Sequence, residues 1–401
     1  MNYVDIAFVL ICTALVMLMT PALALFYGGL VRVKNVLSTT MHSFVLMGLV
    51  TILWAVCGYS LAFGPDNYGI IGDLSFFMLD GVGIKAGPVS NIPHLLFMMF
   101  QCMFAVITLA LISGAYAERI RFSAMLLISI LFLLFVYTPM AHWVWGGGWL
   151  HKIGAVDFAG GAVVHMASAA AALAICQSLG FRKNSIDPIK PHNLPFTIFG
   201  CGLLWFGWFG FNAGSALAAN ELAVHAFVTT QLAAASGIIG WLAIEWWKLG
   251  KPTTLGAASG ALAGLVAITP AAGYVPISSS IIIGLLGGVI CFLGIFVKEK
   301  LHFDDALDVV GIHGIGGTWG ALATGIFAVE SINGVNGILY GDAYQLWIQF
   351  VSVVATWVFV YIMTKFIIKI VSYIMPLRVS CKVETTGLDI TEHNESAYKI
   401  I

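Results

Sequence analysis

The stretch DFAGGAVVH, Asp157 to His165, sets an acidic residue eight positions before a histidine in an otherwise apolar neighbourhood. DALDVVGIH, Asp305 to His313, repeats the spacing later in the chain. Of the 401 residues, 60% are hydrophobic and 9% charged. Ordinary soluble domains carry about a quarter charged residues. Both stretches therefore belong to an integral membrane protein, where an ionisable side chain inside a span needs a reason to be there.

Eleven apolar runs have the length of a bilayer-crossing helix: about 6–31, 37–63, 92–117, 122–141, 159–180, 194–214, 222–247, 253–270, 277–297, 309–329 and 343–364. Helices satisfy their own backbone groups in lipid, and the alternation of a membrane β-barrel is missing from the sequence. An outside N-terminus with alternating loops puts Arg32, Lys34, Arg119, Arg121, Arg182, Lys183, Lys190, Lys248, Lys251, Lys298, Lys300, Lys365, Lys369, Arg378, Lys382 and Lys399 inside. That is 16 of the 18 basic residues, leaving Lys85 and Lys152 outside, and basic residues mark the cytoplasmic side. The expected fold is all-α, N-out and C-in, in the cell membrane. It divides into a transmembrane domain over 1–375 and a cytoplasmic tail over 376–401. The first run reads as a retained span, not a signal peptide: Asp5 stands where a basic leader belongs, and Arg32 and Lys34 follow the run.

Segment 10 follows segment 5 by five crossings, an odd number, so the two Asp-to-His copies run in opposite directions. Segments 1–5 and 6–10 then form an inverted repeat with an added eleventh helix, an arrangement that places sites at the midplane between halves. Eight helical residues at 1.5 Å each carry the histidine about 12 Å past its aspartate, near the middle of a hydrocarbon core of about 30 Å. His165 and His313 are expected to meet there, both neutral because burial disfavours the charged ring, sharing a proton between ring nitrogens. The other eight histidines fall in loops, the tail or span ends. Asp157 has two open readings, a helix cap or a part in cation recognition. Asp305 and Asp308 read as caps at the inner end of segment 10.

Trp145 in WGGGW (145–149), Phe104 in QCMF (101–104), and Phe211 and Ser215 in GWFGFNAGS (207–215) all belong to the outer half. An aromatic face attracts a cation and a hydroxyl oxygen accepts from an ammonium-type donor. Each aromatic alone reads as an interfacial belt residue; their convergence on one mouth is what points to a site. The middle of each predicted span holds no Asp, Glu, Lys or Arg, which suits a small neutral polar molecule better than a hydrated ion. The 44 glycines read as close helix packing. Six of the seven cysteines lie within spans and read as small apolar packing residues. No phosphate loop, metal site or cofactor is expected, and loop 64–93 suggests no function.

FYGGLVRVKNVLST (26–39), SGAYAERIRF (113–122), WGGGW, DFAGGAVVH, GWFGFNAGSA (207–216), DVVGIHGIGG (308–317) and the tail GLDITEHNESAY (387–398) resemble the ammonium transporter (Amt/Mep/Rh) family, in its prokaryotic Amt branch. The resemblance runs from segment 1 to the tail. It implies an outer ammonium site of Trp145 and Ser215, a closing pair Phe104 and Phe211, the paired histidines His165 and His313, Asp157 for recruitment or site structure, and Phe26 and Tyr27 towards the inner pore. It also implies a homotrimer with one pore per subunit and a P-II signalling protein as a partner on the cytoplasmic face. The lipid bilayer is the other expected partner; nucleic acid is not one.

These lines converge on a transporter, not an enzyme: ammonium loses its proton at the outer site and ammonia crosses past the histidines, with net charge transfer. Three alternatives share some of these features. A membrane metalloenzyme would need more ligands than the two histidines. An ammonium sensor signalling through the tail would have the same pore. A neutral ammonia channel of the Rh type would lack the Trp145/Ser215 site.

Overall fold

The computed structural model describes residues 1–183 and 191–398, so Lys190 and Lys399 of the basic count lie outside the described residues. All eleven expected segments fall on helices. They are α1 (Tyr3–Leu30), α2 (Val33–Phe63), α3 (His94–Tyr116), α4 (122–144), α5 (Gly161–Leu179), α6 (Leu194–Gly214), α7 (Glu221–Leu249), α8 (Thr254–Ile268), α9 (Ile277–Gly294), α10 (310–327) and α11 (Ala343–Ile374). Nine helices among the described residues are long and apolar enough to cross a membrane. The segments expected at 253–270 and 309–329 are not among the nine: α8 is a shorter apolar helix, and α10 begins in a π-turn, Val310–Gly314.

Side-chain caps start several helices: Asn2 for α1, Asn193 for α6, Asn220 for α7, Thr253 for α8 and Asp342 for α11. Each accepts at least one of the backbone N–H groups that the first turn leaves unpaired, and Asp342 accepts two. In the middle of the bundle α3 and α5 are buried on nearly every side, while α7, α9 and α11 turn Ile239, Leu285 and Val358 outwards. Small residues set the spacing between α7, α8 and α9. A methyl group on Gly288 would run into the Gly237 carbonyl, and one on Gly264 into that of Ala233, so these backbones approach as close-packed membrane helices do.

Four helices contain π-turns: Trp54–Gly58 in α2, Leu133–Tyr137 in α4, Gly161–Met166 in α5 and Val310–Gly314 in α10. The last two carry His165 and His313. Helix α5 therefore starts at Gly161, so only part of the eight-residue interval from Asp157 is helical and the 12 Å expectation overstates the rise. Helix α11 runs ten residues beyond the expected end at 364. Hydropathy falls at Lys365, but the helix continues: Lys365 Nζ donates to Ser178 Oγ on α5 at 3.0 Å, its aliphatic stem covering apolar surface on the way. His42 also departs from the expectation of span ends and loops. It is buried within α2, its ring against Tyr116 and Phe122.

One end of the bundle gathers Arg32, Lys34, Arg119, Arg182 and Arg378 of the basic residues assigned to the inner side. Arg182 is held by the Asp304 carboxylate through its backbone N–H, Nε and Nη2 at 2.8, 2.8 and 2.7 Å. Arg119 donates to the Asp304 carbonyl, and Glu118 faces both Arg32 and Arg182. The tail helices α12 (Cys381–Thr386) and α13 (Leu388–His393) lie on this end. There Asp389 accepts the Leu37 and Ser38 N–H groups of α2 at 3.1 and 2.8 Å, and Lys34 donates to the Glu384 and Thr385 carbonyls. Loop 64–93 lies at the opposite end, where Asp66 accepts from His142 Nε2 at 2.8 Å and from Lys152 Nζ at 2.5 Å.

Candidate functional site

A chain of ring contacts runs into the bundle from the loop after α4. The Trp145 ring meets Phe104 of α3 edge-on at 5.8 Å. Phe104 stacks on Phe211 of α6 at 4.3 Å and 22°, and Phe211 lies 6.1 Å from the His165 ring. His165 faces His313 with ring centroids 5.2 Å apart and planes 25° apart. Five of the expected site residues are thus continuous.

The histidines meet through Nδ1 on both rings, 3.2 Å apart. One ring must donate and the other accept, so the pair carries a single proton between these two nitrogens. His165 Nε2 is buried with no hydrogen-bond partner among the described residues. Both rings border a narrow cavity of about 20 Å³, room for little more than one water-sized molecule. Its other walls are apolar apart from Tyr27, Leu111 and Leu262 among them.

Ser215 ends α6 one turn beyond Phe211, and its Oγ donates to the Phe211 carbonyl at 2.8 Å. Its oxygen keeps acceptor capacity for a second partner. The Trp145 indole N–H is already committed to the Asp157 carbonyl at 2.9 Å, so what Trp145 offers to a bound group is its face. Phe26 and Tyr27 sit at the other end of the small cavity, rings 5.9 Å apart, with the Tyr27 hydroxyl donating to the Leu111 carbonyl at 3.1 Å. Phe26, Leu307 and Ile312 also border a wider cavity of about 570 Å³ at the basic end of the bundle, with Arg182, Lys298 and Asp304 on its wall.

Asp157 accepts four backbone N–H groups, from Gly160, Gly161, Ala162 and Val163, at 2.8, 2.6, 2.7 and 3.3 Å. Both carboxylate oxygens are therefore engaged with the start of α5. Asp305 accepts the Val310 N–H at 2.7 Å, as a cap would, and Asp308 pairs with Lys298 at 2.5 Å. Two residues went unnoticed in the sequence. Trp208 stacks on His165 at 5.3 Å and 23°, and its N–H donates to Thr269 Oγ1 at 2.9 Å. Trp208 precedes Phe211 by three positions, the spacing of one helix face, and that was the available signal. Among the described residues no three His, Cys, Asp or Glu side chains gather as a metal-holding group.

The arrangement can hold a cation against aromatic faces at one mouth, exclude water at a stacked phenylalanine pair, and exchange a proton or hydrogen bond at paired imidazoles. A sequence model described as Ammonium Transporter Family matches residues 7–398. An ammonium transporter of Bacillus subtilis is 57% identical over 399 residues, 98% of each chain. Among solved structures, Saccharomyces cerevisiae Mep2 superposes with a TM-score of 0.89 at 36% identity, over 95% of this chain and 88% of that one. A structure titled Sensor Amt Protein superposes with a TM-score of 0.91 at 28% identity, over 98% of each chain.

Proposed function

This chain belongs to the ammonium transporter family, and from that premise we propose that it carries ammonium across the cell membrane by taking it apart. Ammonium docks at the outer mouth, between the face of Trp145 and the Ser215 oxygen. A cation–aromatic contact partly shielded from water contributes up to about 2 kcal/mol. There ammonium hands its proton to solvent water, and the proton follows separately along the His165–His313 pair and rejoins ammonia on the inner side. Ammonia passes the Phe104–Phe211 pair and the narrow cavity, donating to or accepting from His165 and His313, and leaves past Phe26 and Tyr27. Potassium has no proton to give up, so it stays outside a passage with no charge to solvate it. Asp157 acts by holding the start of α5 and, through its carbonyl, the Trp145 ring.

Eleven spans in an inverted repeat, N-out and C-in, suit this path. Arg32, Lys34, Arg119, Arg182 and Lys298, all assigned to the cytoplasm, lie at the end of the bundle that holds the tail and the wide cavity. We extend the proposal to a homotrimer of such pores, to residues 1–375 as the transport domain, to a tail over 376–401 that offers a surface to a P-II signalling protein, and to net charge transfer along the histidine pair. The observation that carries the reading is the 3.2 Å approach of two imidazoles inside an apolar passage, reached from outside through aromatic rings.

The test is current on a solid-supported membrane from reconstituted protein. Expected is a saturable ammonium current that potassium does not elicit and that His165→Ala/His313→Ala abolishes. A vesicle pH response to ammonia without current would replace charge transfer by a neutral channel. Silence in both readouts would overturn transport and leave the sensor reading.

A further inference from the structure

The corner where α8 ends touches both histidine helices, although none of its residues borders the narrow cavity. Thr269 is fully buried there. Its hydroxyl donates to the Leu265 carbonyl at 2.7 Å, which leaves the oxygen free to accept, and what it accepts is the Trp208 indole N–H at 2.9 Å. The direction of this relay is fixed, since an indole nitrogen only donates. Trp208 lies flat against His165 on its other side and also meets Phe211 at 5.7 Å. The next residue extends the corner in two directions. Pro270 accepts the Phe158 N–H at 3.1 Å, beside the Asp157 turn. Its ring leaves Gly161 of α5 no room for a methyl group, and together with the Ala267 carbonyl it leaves none at Gly320 of α10.

We propose that Thr269 is a positioning residue for the passage: its hydroxyl locks the Trp208 indole against the face of His165 and so fixes the geometry of the His165–His313 pair. An imidazole has two-fold freedom about its last torsion. The Nδ1 contact with His313 fixes one ring atom of His165 and Phe211 meets the ring at 6.1 Å, while the indole, stacked at 5.3 Å and 23°, holds a face of it. The indole can do so only while its own N–H is satisfied, because a buried donor without a partner turns towards another acceptor. This extends the transport reading and rests on it only for its effect on flux.

Thr269→Val keeps the side-chain shape and removes the acceptor; Thr269→Ser keeps the acceptor. Each is reconstituted, and currents are normalised to folded protein. Expected for Thr269→Val is a maximal ammonium current lower by roughly tenfold to a hundredfold, the scale of a misplaced group, at an unchanged half-saturating concentration. Nitrogen-15 spectra of labelled histidine should lose the correlation between the two ring nitrogens. Thr269→Ser should keep both wild-type current and spectrum. Trp208→Phe, which retains a ring and loses the N–H, provides a second test should Thr269→Val not fold, with the same expected losses. A wild-type spectrum and current in either Thr269→Val or Trp208→Phe would overturn the proposal. If the wild type itself carries no current, the transport reading fails, and the spectra still decide the brace.

Discussion

Asp157 and Asp305 stand at the same distance before their histidines yet are held unequally. Asp157 takes four backbone N–H groups. Asp305 takes that of Val310 through Oδ2, and its buried Oδ1 has no hydrogen-bond partner among the described residues. Asp157→Asn turns an amide towards donors, and Asp157→Ala strands all four. With hydrogen bonds to charged acceptors worth about 1.5–3 kcal/mol each, either change should lower the thermal unfolding temperature markedly and reduce ammonium current. Wild-type stability in Asp157→Ala would refute the capping role.

For Asp305 the effect is pH-dependent. Burial, and then the neighbouring Asp308 charge, push its carboxyl up from 3.8 to about 6. The folded state thus holds this proton over a range where the unfolded chain has released it. The stabilisation is complete below about pH 4 and lost as pH rises through 6. Asp305→Asn mimics the protonated form, so wild type should lose ground to it between about pH 4 and 7 in thermal scans. A difference that does not vary with pH would count against this.

On the proposed transport reading, Trp145→Leu removes a cation–aromatic contact of about 0.5–2 kcal/mol at the outer mouth. The half-saturating ammonium concentration should rise roughly two- to thirtyfold. Ser215→Ala should act in the same direction. Concentration series of the current measure both, and a change confined to maximal current would remove these residues from the binding step.

Arg182 neutralises buried carboxylates. Burial opposes the charged form of Asp304, but hydrogen bonds and charge from Arg182 outweigh it, and its carboxyl rests at about 2. That contribution is present above about pH 4 and fades as pH falls through 2. Arg182→Ala leaves Asp304 and Glu118 without their shared partner, a change that costs about 3–5 kcal/mol in buried pairs. Arg182→Ala/Asp304→Asn should recover part of the lost unfolding temperature.

The tail can be tested separately. Asp389→Ala removes the acceptor for Leu37 and Ser38 at the start of α2. Hydrogen exchange should quicken over 381–393 and at these two amides, while α3 and α5 stay protected.

Membrane class, helix positions and the histidine pair were legible because each rests on composition or on a spacing written twice. Phe26 and Tyr27 were legible only through resemblance, since two aromatics in an apolar run look like any others. The role of Asp157 was open in the sequence, because cap and cation ligand need the same side chain, and its four donors come together only in the fold. Thr269 had no signal, because a hydroxyl bonded back to its own helix is common in spans and its partner lies 61 positions away. Loop 64–93 was opaque for a similar reason, since Asp66 finds His142 and Lys152 only after folding.

Each histidine rides on a turn wound with one residue more than an α-helix takes. Residue count is therefore a dial on this passage. Removing a single residue between Gly161 and His165 would take out the one that the wide turn absorbs, so α5 would close to regular winding with its flanks still in phase. The directions set inside the turn, that of the imidazole among them, would be the ones to change. A substitution that leaves the count intact keeps this winding, so it changes what the passage carries without refolding the turn that carries it.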